Sequence, residues 1–350
     1  MRGLSIDDLR LSIDESRVRS PESRVPSPRF RVLSAECWRR GFLAGIRAFR
    51  HNRFEPRSLR RSVFVPIVIV TSQQPGEGKT GVAAAIARHY AYLGRPVTLA
   101  RVASEGGNAG ADAKYFHSLQ FAPGTPVGVV AAGDIRDPGE GITVVEAATD
   151  DVAAIQGAIV VLVARNAAPK AAPAGLTPAV TVVTDVPGAA GALESGATIQ
   201  LGEDRVLAGF GIEDVEAVLK AERIVAGDDR DTTCDHLVIA PIASDAGQPY
   251  FRRFESKAVV VRFDKTDQHL AAMRGEPEFL ILTGGKMPSG YLFDAANANG
   301  VPVLLSQADT ENTVIALEGI FDRTRFHGER KLDRMAALLD PTSLWSALGL

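Results

Sequence analysis

Residues 63–80 decide the fold class, and they read VFVPIVIVTSQQPGEGKT. An apolar, β-branched run is followed by a loop with two glycines and then by Lys79 and Thr80. This order is typical of the Walker A pattern G-x-x-x-x-G-K-[ST], in which a loop joins a strand to a helix and binds phosphate. Gln73 stands where the pattern has its first glycine, while the G-K-T end is intact. The stretch therefore predicts a phosphate-binding loop, and an ordinary turn before a helix is the alternative.

The residues of this loop are the candidate nucleotide ligands. Backbone N–H groups in such a loop point inward and bind an anion, and glycines allow the positive φ angles that this needs. Lys79 would add charge at the outer phosphates, which makes it a candidate catalytic residue as well, and the Thr80 hydroxyl would bind Mg²⁺. The candidates are Gln74, Gly76, Glu77, Gly78, Lys79, Thr80 and Gly81.

The segments after the loop predict a doubly wound, mostly parallel sheet of the P-loop NTPase type. GVAAAIARHYAYLG (81–94) is typical of a helix and PVTLARV (96–102) of a strand. Apolar runs at 142–147, 158–164 and 179–186 are almost continuous, as in strands that are covered on both faces. We assign residues 61–225 to this first α/β domain.

The second half of the chain predicts another, smaller α/β domain. Polar residues at 226–233 are the candidate linker. Strand-like runs follow at 236–242, 257–263, 279–285 and 301–306, with helix-like segments at 266–274, 289–299 and 311–321 and a charged helix at 329–339. We assign residues 234–340 to this domain.

The first 60 residues differ from the rest in charge. Residues 1–61 contain fifteen arginines, no lysine and seven acidic residues, although the whole chain has a net charge of −3. We interpret residues 1–60 as a basic, largely disordered extension. A basic amphipathic helix at 36–54 that contacts a membrane, an acidic partner or nucleic acid is one alternative, and translated sequence upstream of the true start is another. With two distant cysteines and no apolar run long enough for a spanning helix, we expect a cytoplasmic protein.

Two stretches carry a resemblance to known families. PGEGKT after a strand resembles the dethiobiotin-synthetase-like branch of P-loop proteins, which includes the cobyrinic acid a,c-diamide synthases. Residues 248–273 (QPYFRRFESKAVVVRFDKTDQHLAAM) and 279–335 resemble the DRTGG domain. The two domains together resemble the BioD-like phosphotransacetylase family. The acetyltransferase domain that this family name implies would need several hundred further residues, so acetyl transfer is not expected.

The resemblance implies roles for four further positions. Asp112 and Glu146 match the metal ligands that act with the loop threonine, so Thr80, Asp112 and Glu146 would hold Mg²⁺. Arg101 stands where the family has a phosphate-contacting lysine, and Thr184 stands where it has a base-recognising asparagine. The alternatives are a helix N-cap at Asp112 and a solvated strand-end carboxylate at Glu146.

The resemblance also implies partners for the second domain. Asp264 to Asp267 occupies the place of the D-R-T sequence, and Thr283-Gly284-Gly285 follows the next strand. A glycine pair there allows a small ligand to approach the backbone, or it forms a tight turn in a dimer interface. We therefore expect a small ligand at the DRTGG domain and a homodimer or higher homo-oligomer.

Three functions are compatible with these residues. The first is a regulatory or sensory protein that binds ATP at the loop and a ligand at the DRTGG domain. The second is an ATP-dependent ligase of the dethiobiotin or cobyrinic acid a,c-diamide synthase type, in which Lys79 and Arg101 assist phosphoryl transfer to a carboxylate. The third is a partitioning-type ATPase that binds DNA or a membrane through the N-terminal arginines. Because the substrate-handling positions depart from the family, we favour the first.

Overall fold

Parallel strands form the larger of the two sheets in the computed structural model, which describes residues 67–103, 109–119, 129–135, 141–240 and 247–350. The strand order is β3-β2-β4-β1-β5-β6-β8-β7, and every neighbouring pair is parallel except β7 with β8. The predicted mostly parallel sheet is therefore confirmed. Its strands are β1 (Ile67–Ser72), β2 (Val97–Val102), β3 (Val129–Val130), β4 (Ile142–Ala148), β5 (Ile159–Arg165), β6 (Val180–Val186), β7 (Ala192–Ser195) and β8 (Thr198–Gly202).

Apolar side chains cover both faces of the large sheet. Val68 and Val70 of β1 join the core under the helix α1, whereas Ile67 and Ile69 join a separate core on the opposite face. Successive residues of a strand point to opposite faces, so burial on both sides requires the unbroken apolar runs of the sequence. The helices of this part are α1 (Lys79–Tyr92), α2 (Ala109–Ser118) and α3 (Thr149–Val152).

The smaller sheet has the order β10-β11-β12-β13-β9 and is parallel except for its edge strand β9. Its four parallel strands were predicted, and so were the helices at 266–274 and 289–299, whereas the short helix between the first two strands was not. Gly319, with φ 67°, separates α8 from a short 3-10 helix at Ile320–Asp322, so the predicted helix at 311–321 is interrupted. The elements are α4 (Ile212–Leu219), β9 (Glu222–Val225), β10 (His236–Ile239), α5 (Gly247–Phe251), β11 (Lys257–Arg262), α6 (Thr266–Arg274), β12 (Phe279–Thr283), α7 (Gly290–Ala298), β13 (Val303–Leu305) and α8 (Thr310–Ala316).

The packing of β9 and of the two C-terminal helices does not follow the boundaries assigned from the sequence. The strand β9 lies within the predicted first domain but pairs with β13 of the smaller sheet. The helices α9 (Glu329–Leu339) and α10 (Leu344–Leu348) instead share the core of α1 in the large sheet. The α9 residues Leu332, Met335 and Leu339 recur at helical spacing and present one apolar stripe to that core. The chain thus returns to its first sheet after completing the second.

Residues 1–66 lie outside the described part of the chain, and so does the predicted basic extension with its helix at 36–54. The first residues of the strand predicted from 63 also fall there. Within the described ranges, each helix is too short or too polar to cross a membrane.

Candidate functional site

The candidate site lies where the carboxyl ends of β1, β2 and β4 meet. Glu146 is in register with Val70 on one side and with Arg101 on the other. Residues two apart on a strand point to the same face of the sheet. Arg101 follows Leu99 by two residues and Glu146 follows Val144 by two, and both Leu99 and Val144 face α1. Both polar side chains are therefore directed towards the face on which α1 begins.

The β1–α1 loop (residues 73–78) has a backbone that only glycine adopts readily. Gly76 has φ 80° and Gly78 has φ 93°, both in the left-handed region. A Cβ atom on Gly78 would also lie 3.2 Å from the side chain of Thr184. The two glycines of the predicted phosphate loop are thus required by conformation, and at Gly78 also by close packing.

Lys79 begins α1 and folds back over the end of β1. Its Nζ donates to Ser72 Oγ at 2.6 Å, and the Ser72 hydroxyl donates to the Gln74 carbonyl at 2.6 Å. The side chain is 9% exposed, and this burial lowers the pKa of Lys79. The ammonium group is consequently held beside the loop rather than extended into solvent.

The side chains of Glu77 and Thr184 both form hydrogen bonds with the backbone of the loop. The Gln74 N–H donates to Glu77 Oε2 at 3.0 Å, so one backbone donor of the loop already binds a carboxylate of the chain itself. The Thr184 hydroxyl approaches the carbonyls of Glu77 at 3.0 Å and Ala164 at 3.3 Å. Thr184 is buried behind the loop, and this placement favours a supporting role over the predicted contact with a nucleotide base.

Gly81 is covered by an aromatic ring. A Cβ atom on Gly81 would lie 2.7 Å from the ring of Phe326, which follows the smaller sheet in the chain. The prediction that Gly81 is a nucleotide ligand stays a prediction. The structure makes Gly81 the site of a close contact with a distant segment.

Arg101 lies between two carboxylates. Its Nε is 3.5 Å from Asp112 Oδ2 and 3.6 Å from Glu146 Oε1, and its Nη1 donates to the Glu146 carbonyl at 3.2 Å. Arg101 and Glu146 are 6% and 2% exposed. Burial raises the pKa of Glu146 to about 7, although Arg101 opposes the shift, and burial also raises the pKa of Asp112. Glu146 is thus not the solvated carboxylate of the alternative interpretation.

The expected Mg²⁺ ligands converge, but their surroundings suit a guanidinium better than a divalent ion. Thr80 and Asp112 both act on the pKa of Glu146, which Thr80 lowers and Asp112 raises, so the three residues belong to one cluster. Both carboxylates, however, are already close to Arg101. In the described residues, no group of three or more His, Cys, Asp or Glu side chains could hold a metal ion.

An aromatic and polar junction connects this site with the smaller sheet. The ring of Phe326 meets Tyr115 of α2 edge-on, with centroids 5.8 Å apart. The next residue, His327, pairs through Nε2 with Asp214 Oδ2 at 2.9 Å, and the Asp214 carboxylate also accepts from the Gly211 N–H at the start of α4. We call residues 324–328 the junction segment. Sequence reasoning missed its role because no local pattern marks Phe326 as the partner of Gly81.

The glycine pair of the smaller sheet forms a tight turn after β12. Gly284 has φ 96° and Gly285 has φ 65°, and their N–H groups donate to the carbonyls of Ala308 and Ser306. A Cβ atom on Gly284 would lie 2.8 Å from the ring of Phe263. Lys286 lies over the same ring, with its Nζ 5.6 Å from the centroid. The turn brings a cation and an aromatic ring together at the carboxyl end of the sheet.

Comparisons with known proteins identify the second part of the chain. The DRTGG domain family matches residues 214–320, which span the smaller sheet from α4 to the 3-10 helix after α8. A solved structure of the CBS and DRTGG domains of the regulatory region of Clostridium perfringens pyrophosphatase, complexed with its activator diadenosine tetraphosphate, is 16% identical with a TM-score of 0.29. That match covers 35% of this chain and 53% of the other, so this chain spans about half of its length. Residues 214–320 therefore form a DRTGG domain, which begins and ends earlier than the predicted 234–340.

Proposed function

We propose that this chain is a regulatory protein that binds a nucleoside triphosphate at the β1–α1 loop and transmits its occupancy to the DRTGG domain. The observation that carries the proposal is Lys79, held by Ser72 beside a loop whose glycines at 76 and 78 have positive φ. Such a loop, followed by a helix N-terminus, presents N–H groups to an anion. Lys79 and the guanidinium of Arg101 would supply the positive charge.

The junction segment supports the regulatory part of the proposal. Phe326 packs on Gly81, which directly follows the candidate phosphate ligands Lys79 and Thr80. His327 holds the carboxylate that caps α4, the first helix of the DRTGG domain. A shift of the first turn of α1 on phosphate binding would therefore displace the junction segment, which also contacts the N-terminus of α4. Coupling of this kind requires that the ligand differs in affinity between two arrangements of the junction.

Isothermal titration calorimetry with ATP and GTP tests the binding site. We expect one site per chain and a loss of affinity of about tenfold or more in Lys79→Ala, as for the removal of a charged phosphate contact. Lys286→Ala is the matched control, because Lys286 is an exposed lysine in the turn of the DRTGG domain. If Lys286→Ala abolished binding and Lys79→Ala did not, the nucleotide would bind at the smaller sheet and the proposal would be wrong.

Hydrogen exchange of the backbone amides tests the coupling. We expect ATP to slow exchange in α4 of the wild-type protein and to leave it unchanged in Phe326→Ala, which still binds ATP. If α4 responded equally in both proteins, the coupling would not pass through the junction segment. Substrate-stimulated ADP release with any carboxylate substrate would favour the ligase alternative instead.

A small ligand and a second copy of the chain are the further partners that we propose for the DRTGG domain. Met287 and Tyr291 are 60% and 72% exposed beside the Gly284–Gly285 turn. We propose that these two side chains form part of one apolar patch, which on a protein surface marks a contact with a partner. Sedimentation equilibrium of the wild type and of Tyr291→Ser tests the assembly, and identical monomeric behaviour of both would contradict it.

A further inference from the structure

The buried carboxylates of the candidate site already have a cation of the chain beside them. Two acidic side chains, Asp112 and Glu146, converge on one guanidinium, with Arg101 Nε at 3.5 Å and 3.6 Å from their nearest oxygens. Asp112 comes from α2 and Glu146 from β4, so the guanidinium joins two elements at the edge of the phosphate loop. A metal ion that bound these carboxylates would have to share them with this permanent cation.

Arg101 is fixed in this place by the backbone of the sheet. Its Nη1 donates to the carbonyls of Val102 at 3.3 Å and Glu146 at 3.2 Å, which belong to two neighbouring strands. These bonds attach the guanidinium to the ends of two strands and limit its freedom to move aside. Glu146 Oε2 is buried without a hydrogen-bond partner among the described groups, so the cluster has one acceptor left for an incoming donor.

Electrostatics disfavours a divalent ion beside this group. Mg²⁺ needs close oxygen ligands in near-ideal octahedral geometry, and it would stand next to a fixed positive charge in a site screened poorly by water. An arginine, in contrast, remains charged at any physiological pH and offers several N–H donors that match carboxylate and phosphate oxygens together. A lysine in the same place would be a compact point charge, without the planar group that meets the strand carbonyls through Nη1 and the carboxylates through Nε.

We propose that Arg101 takes the place of the divalent cation, so that this site binds nucleoside polyphosphate without Mg²⁺. The inference rests on the proposed nucleotide site and adds its cation requirement. Arg101 places its positive charge beside Asp112 and Glu146 and close to Lys79, where the phosphates would lie. The site thereby differs from the Mg²⁺ site that the sequence resemblance implies.

Calorimetry of ATP binding in EDTA and in excess Mg²⁺ tests this inference. For the wild type we expect dissociation constants that agree within about threefold under the two conditions. For Arg101→Lys we expect the affinity in EDTA to fall by about tenfold or more, with recovery on addition of Mg²⁺. Arg95→Lys is the matched control, because Arg95 is exposed and lies just before the start of β2, whereas Arg101 lies near the end of that strand.

The outcomes separate the inference from the proposed function. Wild-type binding that requires Mg²⁺ would overturn the inference and leave the nucleotide site intact. Metal-free binding that Arg101→Lys does not weaken would also overturn it, since Arg101 would then not be the responsible group. Absence of ATP binding under both conditions would overturn the proposed function and the inference together. The wild-type comparison needs no variant, so it remains decisive if Arg101→Lys does not fold.

Discussion

Replacement of Glu146 by glutamine should remove a large part of the pH dependence of stability. Burial raises the pKa of Glu146 from 4.5 to about 7 in the folded chain. The folded state therefore holds this proton more tightly than the unfolded state does. The resulting stabilisation is complete below the unfolded pKa, and it is lost as the pH rises through about 7.

The size of the effect follows from the shift. At about 1.4 kcal/mol per pKa unit, a rise from 4.5 to about 7 corresponds to about 3 kcal/mol of unfolding free energy. Between about pH 5 and about pH 8, roughly 2 to 3 kcal/mol of this would be lost. Glutamine has nearly the same shape and carries no titrating proton. The variant should lack this contribution and keep the one from Asp112, whose pKa burial also raises.

Urea denaturation in EDTA without nucleotide, at about pH 5 and about pH 8, measures the difference. The wild type should lose more stability than Glu146→Gln on going to the higher pH. Glu203→Gln is the control, since Glu203 is an exposed carboxylate directly after β8. If the wild type and Glu146→Gln lost stability in parallel, Glu146 would not be the buried, proton-retaining group described above.

Three further variants test other contacts. Burial lowers the pKa of Lys331 to about 8, so the wild type should gain up to about 3 kcal/mol relative to Lys331→Met as the pH rises from about 8 towards 10.5, by urea denaturation. Gly81→Val should destabilise the chain by about 1 to 3 kcal/mol through overlap with Phe326, and Phe326→Leu in the same chain should restore part of the melting temperature. Thr184→Val removes the hydroxyl that approaches the Glu77 carbonyl and should weaken ATP binding by roughly fivefold in calorimetry, whereas an unchanged affinity would separate Thr184 from the loop.

The strands and helices that pack on both faces could be predicted from the sequence. Their apolar runs are long, and the bounds predicted for α6 and α9 agree with the structure. The hairpin of β7 and β8 was missed because β7 is mostly exposed and its residues, ALES, show no strand pattern. The edge strand β9 was missed for a similar reason, since its pairing with β13 depends on the rest of the smaller sheet.

Only the part of the candidate site that is formed by residues close together in the sequence could be predicted. Gly76 and Gly78 follow from the loop pattern because the conformation of the loop requires them. Arg101 and Glu146 could be paired only through a resemblance, and their distance depends on the register of β2 with β4. The covering of Gly81 by Phe326 depends on the return of the chain from the smaller sheet, which no pattern in either segment records.

The return of α9 and α10 to the first sheet also sets an order of assembly. During synthesis, the segment of α1 leaves the ribosome long before Leu332 to Leu348, which complete its core, have been made. Until then, apolar side chains of α1 such as Val82 and Ile86 lack part of their cover. The smaller sheet needs no residue beyond Leu305 to pair its strands and can form earlier. We therefore expect the sheet that is synthesised first to be the one that is completed last.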